Sequence, residues 1–210
     1  FEAMFDRLRV IIKKELKATE PDLTISLRAC ESPKNVMGLD AQEKLLKSLY
    51  AAHNGVYAMS ASIPDLVETS NNVARVVVKD GKIKIGCLTR SSVNSAKMDL
   101  AVALRCTFEL AGCEVVFSGD YPGWNPNPQS EILKMLKAKD VELFNESPRV
   151  VACHAGLECG ILGQNYPRMD MVSFGPTILG AHSPDERASI SSTQKFWNFL
   201  IEILKNTPKK

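Results

Sequence analysis

Hydrophobic positions recur along this chain with two different periods, and the switches between them mark out its elements. Met4, Phe5, Leu8, Ile11, Ile12 and Leu16 fall three and four residues apart, which predicts an amphipathic helix to about Lys17. Over Asp22–Ala29 the period drops to two, with Leu23, Ile25 and Leu27 on one face of a predicted strand. Gln42–Ala52 returns to helical spacing through Leu45, Leu46 and Leu49 and closes near Asn54-Gly55. Val73–Lys79 and Lys82–Arg90 are β-rich runs joined by Asp80-Gly81, whose residues tolerate positive φ and so predict a two-residue hairpin. Ser95–Ala111 predicts a further helix, with Met98, Val102, Cys106 and Leu110 on its apolar face and Gly112 as its stop. Cys113–Ser118 reads as a strand. This order predicts an α+β layer, an antiparallel sheet with helices on one face.

The pattern then breaks. Tyr121–Pro128 holds three prolines and a glycine in eight residues, a rigid connector that cannot continue a helix. A domain boundary is therefore expected near Gly119, dividing residues 1–118 from 119–210. Beyond it the spacing predicts a helix over Ser130–Lys139, strands at Arg149–Cys153 and Met171–Phe174, and a last helix over Ser192–Lys205. Helices alternating with short buried strands suggest an α/β layer in this second half.

Composition changes the picture mainly by exclusion. The chain has 210 residues, 45% of them apolar and 24% charged, with a formal net charge of +2. So small and scattered a charge points away from nucleic acid and from an acidic membrane surface. The apolar runs Ile83–Leu88 and Phe196–Leu204 fall well short of the roughly 18 residues a spanning helix requires. The acidic, amphipathic start Phe1-Glu2-Ala3-Met4-Phe5-Asp6 does not resemble a secretory signal, and position 1 is not methionine. A piece of a longer protein is expected. Six cysteines, none in a C-x-x-C pair, predict buried free thiols in a reducing compartment, hence a cytoplasmic protein.

Candidate chemistry concentrates in two loops of the second half. Gly175–Glu186 places His182 among glycines and prolines, beside Asp185 and Glu186, which suits a metal-ligating imidazole oriented by carboxylates. One histidine does not complete a zinc site, which takes three or four protein ligands. His154-Ala155-Gly156-Leu157-Glu158-Cys159-Gly160 follows a predicted strand; its glycines suit close backbone approach to a carboxylate, or simply a strand-to-helix turn. Arg90 ends a strand and suits bidentate carboxylate binding or an ordinary surface position. His53 reads as a turn residue. Cys159 with His154 or His182 is a weaker arrangement for nucleophilic catalysis, with no thiol-protease signature around it.

Five motifs in register carry a resemblance. Val67-Glu68-Thr69-Ser70-Asn71-Asn72-Val73, Tyr121-Pro122-Gly123-Trp124, the 154–160 loop, Met169-Asp170-Met171-Val172-Ser173, and Gly175-Pro176-Thr177 with His182-Ser183-Pro184-Asp185-Glu186 occur together and in order. From about residue 50 onward the chain resembles the C-terminal portion of the bacterial aminoacyl-histidine dipeptidases, carnosinase-like di-zinc exopeptidases whose catalytic domain is interrupted by a lid. The resemblance implies that residues 1–118 are most of a lid that also mediates homodimerisation. It implies that residues 119–210 are the closing α/β segment of the zinc-exopeptidase catalytic domain. His182 then matches a zinc ligand, Arg90 a lid arginine that pairs with the substrate's C-terminal carboxylate, and Gly156 a loop position that contacts substrate through its backbone.

The expected substrate is a small Xaa-His dipeptide, cleaved by water activated between two zinc ions with a glutamate carrying the proton. The family's His-x-Asp metal motif, its paired glutamates and its Gly-Gly-His-Ser-Gly lid motif do not occur in these 210 residues. No catalytic acid or base is therefore assigned, and the isolated chain is expected to be inactive. The alternatives are a non-catalytic dimerisation module and a small cysteine hydrolase.

Overall fold

The computed structural model describes residues 1–154 and 157–207. It divides into two compact units, Phe1–Gly38 and Leu39–Lys210.

In the first unit, helix α1 (Glu2–Glu15) forms where the three-and-four spacing predicts it. Glu2 lies in its first turn and Lys13 and Lys14 in its last, each complementing the helix dipole. An Arg9–Asp6 ion pair of 2.9 Å links successive turns. None of its residues is buried. The predicted strand at Asp22–Ala29 does not form. Leu23 and Ile25 are half-buried and Leu27 is exposed, but an extended segment becomes a strand only when another strand completes its hydrogen bonds.

The second unit runs α2 (Leu39–Ala51), β1 (Gly55–Met59), β2 (Val67–Lys79), β3 (Lys82–Ser91), α3 (Asn94–Leu110), α4 (Glu131–Phe144), α5 (Glu158–Asn165), β4 (Ile178–Leu179), β5 (Arg187–Ala188) and α6 (Ile190–Asn206). The first three strands make an antiparallel sheet in the order β1-β2-β3. Asp80 and Gly81 both adopt positive φ, +52° and +71°, and set Lys79 opposite Lys82. The hairpin extends further toward its mouth than the apolar pattern indicates, because β2 begins at Val67 in a polar run.

Helices α2 and α3 cover one face of this sheet. Their core is Ala52, Leu100, Leu104 and Phe108, with Val73, Ile85 and Val115 packed against it. The buried stripe of α3 is thus Lys97, Leu100, Leu104 and Phe108, whereas the predicted face is turned outward: Met98 is 44% and Leu110 91% exposed. Both stripes satisfy the i, i+4 spacing, so the choice belongs to the tertiary contacts. Gly112, at φ +84°, ends α3 as predicted. Its N–H donates to the Glu109 carbonyl while that of Cys113 donates to Phe108, the paired bonds of a Schellman cap.

A second core joins α4 to α6 through Leu136, Phe199 and Ile203, with Ile132, Met135, Phe144 and Val172 around them. Ser130 caps α4 by accepting from the Leu133 N–H at 3.0 Å and donates its own hydroxyl to Asp170 at 2.9 Å. The strands predicted at Cys113–Ser118, Arg149–Cys153 and Met171–Phe174 carry no ladder among the described residues. The expected α/β layer is not built there; what forms is a helical layer with the short β4–β5 hairpin. Val116 and Val151 stand 75% and 69% exposed, the mark of apolar strand-like segments with no neighbour to pair with. The cysteines are free as expected, but Cys30, Cys87, Cys106, Cys113 and Cys153 are exposed rather than buried, and Cys159 is half-buried.

Candidate functional site

The site is assembled at the mouth of the β2–β3 hairpin, where the strands turn from apolar to polar. Thr69 stands opposite Ser91, and their hydroxyls hydrogen-bond at 2.8 Å in full burial. Asn71, also buried, donates to the His53 carbonyl at 2.8 Å and accepts from the Thr89 hydroxyl at 3.0 Å. These residues lie on the face covered by α2 and α3. Each buried side-chain nitrogen or oxygen among the described residues has its partner, so the network fixes strand register without leaving an unpaired side-chain donor.

Ser70 and Arg90 oppose each other on the other face. There Ser70 Oγ lies 2.7 Å from Nε2 of His154, the first residue of the 154–160 loop. Burial first, and the Arg90 charge second, hold the His154 imidazole below the ordinary histidine range. At neutral pH it is therefore uncharged beside a permanent guanidinium. Gly156 lies outside the described residues; α5 begins two residues beyond it, at Glu158.

The Pro-rich connector closes this arrangement from the side. Gly123 donates its N–H to Asn94 Oδ1 at 2.7 Å, and a Cβ there would sit 2.9 Å from the Ser91 carbonyl oxygen. A Cβ on Gly160 would come 2.5 Å from the Pro122 carbonyl oxygen. Backbone thus meets backbone on both sides of Pro122-Gly123, which only glycine permits. Lys97, buried on α3, donates to the Tyr121 carbonyl and to Asp120 Oδ1, the latter at 2.6 Å. The lysine holds the Asp120 carboxyl below the usual carboxylate range, by its hydrogen bond first and its charge second.

His182 stands apart, exposed at the tip of the β4–β5 hairpin. Its φ is +63°, a left-handed conformation that costs a residue with a Cβ about 1 kcal/mol or more. Its N–H donates to Glu186 Oε2 at 2.9 Å, so a carboxylate of its own loop holds the backbone beneath the imidazole. Among the described residues no three His, Cys, Asp or Glu side chains converge to hold a metal ion. A lone neutral imidazole is a suitable zinc donor but not a zinc site.

Of the residues that the sequence singles out, Arg90 and His154 are both neighbours of Ser70, and His182 lies on the β4–β5 hairpin. His53 is built into the fold, its Nε2 3.0 Å from the Val56 carbonyl and its ring edge-on to Tyr57. Cys159 is a poor thiolate: burial, then Glu158, push its thiol up, and His154 Nε2 is engaged by Ser70. Sequence reasoning misses Ser70 and Lys97. The signal for Ser70 is the polar run Thr69-Ser70-Asn71-Asn72 leading into a strand; Lys97, a charge on a helix, gives none.

This mixed α+β chain, whose Ser70 lies opposite Arg90 and hydrogen-bonds His154 at the hairpin mouth, is similar along its whole length to dipeptidases. It is 37% identical over 209 residues to the cytosol non-specific dipeptidase of Escherichia coli (strain K12). It is 36% identical to the aminoacylhistidine dipeptidase from Vibrio alginolyticus, whose crystal structure it matches with a TM-score of 0.84. All of this chain is covered in both comparisons, and it spans 43% of the length of each relative. No family model matches the chain. None of its helices, among the described residues, is long and apolar enough to cross a membrane.

Proposed function

We propose that this chain is the part of a zinc-dependent aminoacyl-histidine dipeptidase that supplies one metal ligand and half of the grip on the substrate. In this reading residues 1–118 belong to a lid that forms a homodimer, and residues 119–210 close a cytoplasmic enzyme's catalytic domain. Arg90 takes the dipeptide's C-terminal carboxylate as a two-pronged donor, and the backbone at Gly156 meets the substrate from the facing loop. His182 gives one imidazole to zinc, with the remaining ligands and the general base supplied from beyond these residues.

The observation that carries the reading is the 2.7 Å contact of His154 with Ser70, the cross-strand neighbour of Arg90, in a chain similar end to end to two dipeptidases. The exposed His182 backbone, held in an unfavourable conformation by its own loop, is more simply explained by a ligand than by packing.

A chimera tests the proposal. This chain replaces the matching 43% of the Vibrio alginolyticus dipeptidase. The chimera is expected to cleave Gly-His or β-Ala-His with zinc. His182→Ala should cost at least about 100-fold in kcat through loss of a ligand, and Arg90→Gln should act chiefly on KM. The 210-residue chain alone should cleave neither dipeptide. Chelator-resistant, thiol-sensitive cleavage by the chain alone, or a chimera indifferent to His182→Ala, rules the reading out.

A further inference from the structure

The bond between Ser70 and His154 joins a strand of the hairpin to a loop 84 residues later in the chain. Ser70 is also the cross-strand neighbour of Arg90, so His154 is attached at the strand position paired with the guanidinium's residue. We infer that Ser70 and His154 are positioning residues: their hydrogen bond fastens the chain at His154 to the β2–β3 hairpin, at the position paired with Arg90. Neither touches the substrate; they fix the two surfaces that do. The inference rests on Arg90 and this loop being the carboxylate grip proposed above.

Three features support a fastening rather than a chance contact. The bond is short and half-buried, and Ser70 sits in a strand whose adjoining residues, Thr69 and Asn71, are locked by buried hydrogen bonds on the opposite face. One end of the bond is therefore rigid. Further along the same segment α5 begins at Glu158, and its Gly160 is seated on the Pro122 carbonyl. The imidazole is also the group whose state reports on the fastening. At the hairpin mouth the charged side chains are Glu68 on β2 and Arg90 on β3, with Arg75, Lys79, Lys82 and Lys84 further along toward the turn, and Glu158 opens α5. Of these the Arg90 charge is the one that displaces its protonation, together with burial. Releasing the loop hydrates the ring and moves it from Arg90, whereas an anion seated on Arg90 cancels the repulsion.

The test uses histidine-ring NMR on the 210-residue chain, with His53 and His182 as internal references. In the wild type His154 is expected to titrate below the ordinary histidine value. Ser70→Ala should raise its midpoint toward that value and speed amide exchange at Leu157–Gly160, while Ser70→Thr, which keeps the hydroxyl, should restore the wild-type midpoint and exchange. If Ser70→Ala does not fold, as judged by all three rings shifting together, Ser70→Cys replaces it as a near-isosteric residue with a weak donor. Acetate should raise the His154 midpoint in the wild type and lose that effect in Arg90→Gln. A His154 midpoint and loop exchange unchanged by removing the hydroxyl overturn the fastening. A response to Ser70→Ala with none to acetate leaves the fastening standing and overturns the Arg90 grip.

Discussion

Ser70 Oγ and His154 Nε2 lie 2.7 Å apart, and Arg90 faces Ser70 across the strand pair, so a titratable ring is held neutral beside a fixed positive charge. This contact sets how the fold responds to acid. The folded chain disfavours protonated His154, so below the ordinary histidine value of about 6.5 the unfolded chain binds the proton more readily. Stability from this group is complete above that value and declines as pH falls through the window beneath it. The lowered Asp120 carboxyl acts only in the more acidic carboxylate range. Urea midpoints should fall as the pH is taken from about 7.5 to about 5, and His154→Gln should flatten the slope. An equally steep slope in that variant assigns the effect elsewhere.

Lys97 and Asp120 form one ion pair with unequal partners. The lysine side chain is 11% exposed and the aspartate 80%. Lys97→Ala strips the Tyr121 carbonyl of its donor and is expected to cost about 1–3 kcal/mol. Asp120→Ala loses only a solvent-screened partner and should cost under about 1 kcal/mol. Denaturant unfolding of the two variants gives the ordering directly; comparable losses would show that the ion pair, not the carbonyl bond, holds the connector.

Gly123→Ala places a methyl group against the Ser91 and Ser92 backbone and should destabilise by about 1–3 kcal/mol through overpacking. Gly86→Ala meets only ordinary contacts, 3.7 Å from the Arg75 Cβ, and should be nearly neutral. Thermal melts of the pair decide whether the connector is seated this closely against the strand end.

The two candidate faces of α3 are distinguished by truncation. Leu100 is fully buried, so Leu100→Ala should cost about 2–5 kcal/mol. Met98→Ala, on the exposed side, should cost less than about 0.5 kcal/mol. The reverse order would return the apolar face to Met98, Val102, Cys106 and Leu110.

At His182 a glycine relieves the left-handed strain while adding unfolded-chain freedom, so His182→Gly should leave stability within about 1 kcal/mol of the wild type. Combined with loss of activity in the chimera, that outcome separates a residue kept for its imidazole from one kept for the fold. A large loss of stability in the isolated chain would count against this.

Elements with a local cause are legible in the amino-acid sequence. The Asp80-Gly81 turn needs only two residues that accept positive φ, and the Gly112 stop only one. Helices α1, α2, α4 and α6 follow from spacing that a helix satisfies by itself. The strands expected at Asp22–Ala29, Cys113–Ser118, Arg149–Cys153 and Met171–Phe174 fail for the complementary reason. Their apolar patterns state a preference, but a ladder needs a second strand, and none is in place among the described residues. The site divides in the same way. Arg90 and His182 are visible as residue types in suggestive settings. Ser70 is an ordinary serine until the fold sets it against His154.

The sequence by itself therefore determined the local elements, the connector at Tyr121–Pro128 and the residue types that bear the chemistry, because these depend on neighbours within a few positions along the chain. Only the tertiary structure decided which face of α3 is buried, where Lys97 finds its carbonyl, and that Ser70, Arg90 and His154 meet. Those outcomes depend on groups tens of residues apart, whose hydrogen bonds and packing exist only once the chain has folded on itself.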